Sequence, residues 1–176
     1  KVTTQPSRTL DSVAMMSSHA ARVKALVGVL IYTDVTIGST FYDFIWRLTN
    51  RGVVTGYPCG GAGEPCDGGN RPYFRPNANV TRGQLSKIDS NAAGYNDAPS
   101  GQQYQDVAVG STFYAFIYRL STRGIINGYT CGGVTEPCVP TGNLPSFRPS
   151  PNATCEQASK ILSKTFFPEC SALRYT

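Results

Sequence analysis

Charge is scarce in this 176-residue chain: 15% of the residues are Asp, Glu, Lys or Arg, and 16 basic against 11 acidic side chains leave a formal +5. The basic residues are scattered rather than gathered in a stripe, which argues against nucleic acid as a partner. Histidine is nearly absent, with His19 alone, and a packed or solvated imidazole is the simple reading of it. No phosphate loop, dinucleotide fingerprint, Ca²⁺ loop or His/Ser/Asp set occurs, so neither an enzyme, a metal site nor a cofactor is expected. Long apolar runs are missing too. The longest, 25–32, has 8 residues, against roughly 20 for a membrane-spanning helix. A 40% hydrophobic, 11% aromatic composition is nonetheless too apolar for a disordered tail.

What the chain does have is 18 Gly, 12 Pro, 10 Tyr and 6 Cys, the composition of a loop-rich exported protein. It starts at Lys1 without a leader segment, and is therefore expected to be a secreted, processed, extracellular or cell-surface chain.

Self-similarity organises the rest. Residues 34–66 align without gaps on 106–138, with 21 of 33 positions identical at an offset of 72. After one inserted residue the offset becomes 73, and Phe74-Arg75-Pro76 matches Phe147-Arg148-Pro149. Each copy reads as helix, long loop, helix. Phe41, Phe44, Ile45 and Leu48, repeated as Phe113, Phe116, Ile117 and Leu120, form the expected core stripe of the first helix. Thr40 or Thr112 is its expected cap, and Gly52 or Gly124 its left-handed stop. The second helix opens with a capping box, Thr81-x-x-Gln84 or Thr154-x-x-Gln157. Its buried positions are expected at Leu85 and Ile88, and at Ala158, Ile161 and Leu162.

The expected architecture is thus mainly α: two tandem helix–loop–helix repeats with disulfide-stapled loops, and an N-terminal arm. The segments are 1–31 for the arm, 32–103 for the first repeat and linker, and 104–176 for the second repeat and tail. Val13, Met16, Ala20, Val23, Val27 and Leu30 make a helical seam along the arm, which packs on the chain's own repeats or on a neighbouring subunit; a strand over 25–32 is the alternative.

Cys59 and Cys66 enclose six residues, as do Cys131 and Cys138. This spacing suits zinc knuckles poorly. Local pairs Cys59–Cys66 and Cys131–Cys138 would close eight-residue rings worth about 2.5 kcal/mol each, with Cys155–Cys170 bracketing the last helix. A four-cysteine metal site and free or intersubunit thiols are the alternatives. Tyr42 and Trp46, with Tyr114 and Tyr118, make a second aromatic ridge beside each core stripe, fit to stack on sugar, to join an interface or to be buried in a small core. Asn79-Val80-Thr81 and Asn152-Ala153-Thr154 are glycosylation sequons, although each threonine is also the expected helix cap. The repeated carboxylates Asp34/Asp106 and Glu64/Glu136 are explained most simply by loop or cap hydrogen bonds.

The order Asp-Val, aromatic helix, Arg-Gly-Val/Ile, Gly-Tyr, Phe-Arg-Pro and Val-Thr-Arg-Gly-Gln-Leu resembles the S-layer homology repeat, over about 32–88 and 104–162. The resemblance implies helix–loop–helix units that pack in threes and bind secondary cell-wall polysaccharide in grooves between repeats. It places Arg82 at the motif arginine that contacts acidic sugar, Gln84 where an acidic residue is usual, and Gly56 and Gly128 along the groove. Tyr42 and Trp46 are further candidates for sugar stacking. Cys155 occupies the arginine position of the second copy and cannot grip a carboxylate. Two repeats and no cargo domain lead to a non-enzymatic structural subunit that self-assembles into a filament or surface layer, a homopolymer joined through its arm and the Tyr114/Tyr118 ridge. The alternative is a wall-anchoring module for acidic polysaccharide.

Overall fold

A computed structural model describes residues 30–134, 136–139 and 142–168. Nearly all of the arm, including Val13, Met16, His19, Ala20, Val23 and Val27, lies outside the described residues, as does Cys170. The chain is mainly helical: α1 (Tyr42–Asn50), α2 (Arg82–Ala92), α3 (Tyr114–Thr122) and α4 (Cys155–Phe166). Among the described residues there is no sheet, only isolated bridges. The chain divides into two compact units, Lys1–Phe44 with Gly56–Pro76, and Ile45–Thr55 with Asn77–Thr176, so the division does not follow the repeat boundaries.

In the first unit, the chain after Tyr32 is tied to the segment before Phe74. Thr33 donates its amide to the Pro72 carbonyl (2.9 Å), and Tyr57 and Tyr73 exchange reciprocal backbone bonds of 2.8 Å. Asp34 accepts the amides of Phe74 (2.7 Å) and Arg75 (2.6 Å). These charged bonds hold Arg75 at φ 62°, a left-handed conformation that costs a side-chain-bearing residue roughly 1–2 kcal/mol. The held backbone aims the Arg75 guanidinium at Glu64 in a two-pronged ion pair (2.7 and 2.8 Å), 3.9 Å over the Tyr57 ring. Cys59 and Cys66 are bridged, and their loop turns tightly through Gly60 and Glu64.

The second unit repeats this knot. Asp106 accepts from Phe147 and Arg148 (2.7 and 2.6 Å), Arg148 sits at φ 61° and pairs with Glu136 at 2.6 Å through both prongs, and Cys131 is bridged to Cys138. The core of this unit is built from Leu85 of α2, Tyr114, Ile117 and Leu120 of α3, and Ile161 of α4, with Tyr104, Val107, Ile125, Ile126 and Phe147 from the connecting segments. α2 packs on both α3 and α4.

Both capping boxes form. Each first helix ends in a paired C-terminal motif: Gly52 and Gly124, at φ 68° and 65°, bond back three residues, while Val53 and Ile125 bond back five to Leu48 and Leu120. Only a residue without a Cβ adopts this turn cheaply.

Several expectations need correction. Threonine does not cap α3: Phe113 occupies the N-cap without a side-chain bond, and the first amide donates to the Ser111 carbonyl (3.0 Å). The buried stripe is rotated relative to the expected one. Tyr42 and Ile45 are buried at 6% exposure, whereas Phe41 and Phe44 are 64% and 62% exposed. In α3 the buried residues are Tyr114, Ile117 and Leu120, so Tyr114 is core rather than surface ridge. Burial is affordable there because the Tyr114 hydroxyl donates to the Gly101 carbonyl (2.7 Å), and a satisfied phenol buries its ring at little cost. Trp46 and Tyr118 are half-buried, Leu30 is exposed, Ile88 is half-buried and Leu162 is exposed. Of the expected third staple, Cys155 is exposed with a free thiol, and its intended partner Cys170 is outside the described residues.

Candidate functional site

The site is best built outward from the start of α2. Thr81 closes the capping box with Gln84, its amide donating to the Gln84 side chain at 2.8 Å. That commits Gln84 to the cap rather than to a ligand. The next two amides, on Arg82 and Gly83, donate to the Pro151 and Pro149 carbonyls (both 2.9 Å), and the Ala153 amide returns a bond to Val80 (2.9 Å). The loop after Phe-Arg-Pro in the second repeat thereby covers the helix terminus of the first, satisfying donors that a helix start leaves open.

This clamp fixes Arg82. Its residue exposure is only 7%. Nε donates to the Phe147 carbonyl at 3.1 Å, and the guanidinium lies 4.6 Å from the Phe147 ring centre and 5.2 Å from that of Tyr129. No carboxylate pairs with it among the described residues. Beside it opens a groove of about 400 Å³, whose other walls are Ile125 to Tyr129 and the first two turns of α4, including Glu156, Gln157 and Lys160. Gln157 donates to the Tyr129 hydroxyl (3.2 Å), and Arg148 stacks on the same ring at 4.0 Å. Arg82 and Lys160 against Glu156 leave the wall one positive charge in excess.

Gly128 lies in the groove for a steric reason. A Cβ there would stand 2.5 Å from the Tyr104 ring and 2.8 Å from the Ser146 carbonyl. Tyr104 is 4% exposed, tilted against Phe147 at 5.4 Å, and burial raises its phenol pKa. Gly56 plays the same part in the first unit, with Tyr32 and Tyr73 as its neighbours, and is not a wall of this groove. Tyr42 and Trp46 do not line it either. Of the expected glycan residues the groove therefore gathers Arg82 and Gly128, and it adds Tyr129, Gln157 and Lys160. The Tyr32/Tyr104 pair also went unmarked in the sequence, although Tyr-x-Asp-Val recurs at the same offset of 72.

The remaining candidates have structural employment. Hydrogen bonds from Arg75 and Arg148 lower the pKa values of Glu64 and Glu136, and Asp34 and Asp106 hold backbone amides. Asp67 accepts from the Gly69 and Arg71 amides (3.0 Å each). Among the described residues, no three metal-ligating side chains cluster, and no helix is long and apolar enough to cross a membrane. Asn79 and Asn152 are both exposed, and the adjoining threonine hydroxyls accept the Gln84 and Gln157 amides.

The chain thus holds a helix–loop–helix unit with a capped second helix, knotted by an aspartate under a Phe-Arg-Pro turn. Residues 31–86 match the family model of the S-layer homology domain. Domains of this family are cell-surface modules that anchor to the cell wall through its polysaccharides. No curated protein matches the chain.

Proposed function

We propose that this chain is a non-enzymatic cell-surface module that grips an acidic wall polysaccharide in the groove beside Arg82. The observation that carries the reading is the clamped, acid-free guanidinium on an open groove with Lys160. A planar fork with fixed donors suits a sugar carboxylate, and the excess positive charge favours an anionic chain. That Asp34, Asp106, Glu64 and Glu136 are all engaged in structural bonds supports a non-enzymatic role.

Cosedimentation with purified cell walls tests it. Hydrogen bonds to a charged group are worth about 1.5–3 kcal/mol, so Arg82→Ala is expected to weaken wall binding roughly ten- to hundredfold. Arg82→Lys, which keeps the charge and loses the fork, should fall between, and Lys160→Ala should weaken binding less. Circular dichroism must show native helix, because Arg82 also holds the Phe147 carbonyl. Absence of wild-type sedimentation with walls would end this reading.

A second reading, self-assembly into a filament or layer, is favoured by a separate observation. Two large aromatic side chains, Phe44 on α1 and Phe41 just before it, are mostly exposed, and such apolar patches mark association surfaces.

A further inference from the structure

We infer that the two repeats offer mutually complementary open faces, and that the Phe41/Phe44 stripe of one copy packs on the α4 face of the next. The inference rests on the self-assembly reading and specifies its interface.

The chain already contains one example of the contact. Phe113 and Phe116, the counterparts of Phe41 and Phe44 at offset 72, are half-buried. The Phe113 ring lies so close to α2 that a Cβ on Gly83 would come within 2.5 Å, and the Lys87 ammonium stands 5.8 Å from the Phe116 ring centre. The first helix of one repeat is thus covered by the second helix of the other. Phe41 and Phe44 carry the same stripe without such a cover among the described residues.

α4 has the opposite vacancy. Ser86 and Ser90 of α2 are fully buried, whereas their counterparts at offset 73, Ser159 and Ser163, are exposed. The amides of Arg82 and Gly83 reach carbonyls of the next repeat, while those of Cys155 and Glu156 reach none among the described residues. Lys160 stands where Lys87 stands, so the cation-over-ring contact has both its partners, Phe44 and Lys160, on the open faces. Glu156 replaces Gly83, and Phe41 must therefore sit a side chain's width further from the helix than Phe113 does. Because the two faces differ, the contact is heterologous, and each added copy leaves both kinds of face open at the ends until a ring closes.

Sedimentation velocity of the full chain over a concentration series tests this. Wild type is expected to form concentration-dependent multimers. A chain with Phe41→Asp and Phe44→Asp, and one with Ser159→Arg and Ser163→Arg, should each stay monomeric with native circular dichroism. An equimolar mixture of the two should form dimers and stop there, since each retains one intact face. As a covalent readout that gives up the Phe44–Lys160 contact but keeps Phe41, Phe44→Cys with Lys160→Cys in a Cys155→Ser background should yield disulfide-linked multimers on oxidation. Wild-type multimers that survive both charged pairs, a mixture that stays monomeric, or absence of the cross-link would overturn the interface and leave self-assembly standing. A wild type that is monomeric at every concentration would overturn self-assembly itself.

Discussion

Asp89 on α2 offers the most discriminating measurement. It is fully buried; its Oδ2 accepts the Thr165 hydroxyl of α4, and its Oδ1 has no partner among the described residues. No cation pairs with it among the described residues, and burial raises its pKa above the ordinary 3.8 despite the Thr165 bond. The folded chain then holds this proton more tightly than the unfolded chain does. The group's stabilising contribution is complete below about pH 4 and declines as pH rises through the folded-state value. Glu64 and Glu136, with lowered values, act in the opposite sense and contribute less as pH falls, so the effect of Asp89 must be read as a difference between chains. Asp89→Asn removes the charge and keeps a carbonyl oxygen for Thr165. An unsatisfied buried polar group costs about 1–3 kcal/mol, more when charged; asparagine leaves a neutral amide at the unpartnered position, so only the excess due to the charge is recovered, and the variant is expected to be about 1 kcal/mol more stable at neutral pH. Each kcal/mol should raise Tm by roughly 2–4 °C in a chain of this size. Asp89→Leu has a precedent within the chain, since Leu162 holds the equivalent place, but it strands the Thr165 hydroxyl and should gain less. Thermal melts followed by circular dichroism between about pH 4 and 7.5 provide the assay. Equal pH dependence in wild type and Asp89→Asn, or a variant that melts lower at neutral pH, would refute the reasoning.

The other predictions concern the two devices that the repeats share. Gly128→Ala drives a Cβ into the Tyr104 ring and the Ser146 carbonyl; the ring can yield but the carbonyl is backbone, and overpacking of this kind should cost about 1–3 kcal/mol in urea denaturation. A loss inside the usual surface range of about 0.5 kcal/mol would show that the tyrosine seat is not tight. Asp106→Ala removes a charged acceptor from two amides and frees Arg148 from its left-handed conformation. A loss of at least about 3 kcal/mol is expected from two charged hydrogen bonds, with Asp106→Asn intermediate, and near-native stability of the alanine variant would contradict the knot.

Short-range instructions are legible in the sequence. A capping box needs only four consecutive residues, and Thr81–Gln84 and Thr154–Gln157 specify both their own bonds and the first turn of the helix. Gly52 and Gly124 stop their helices for an equally local reason. The internal repeat made the architecture legible as well, because a pattern occurring twice separates structural positions from accidents of composition.

Which stripe of the first helix faces inward was not legible. Phe41, Tyr42, Phe44 and Ile45 place two apolar stripes side by side, and periodicity alone prefers the phenylalanines to the tyrosine. In the second repeat the choice fell to Tyr114 through a partner outside the helix, the Gly101 carbonyl to which its hydroxyl donates. The groove has the same history. The Thr-Arg-Gly-Gln motif announced Arg82, but its seat depends on a carbonyl 65 residues away, and Lys160 and Gln157 reach the groove only because α4 packs against α2. By itself, the sequence determined the helix starts and stops and the doubling of the unit, since those depend on neighbours along the chain. The inward face, the tyrosine seats over Gly56 and Gly128, and the composition of the groove were decided by the tertiary structure, where burial and hydrogen-bond satisfaction are settled between residues far apart in sequence.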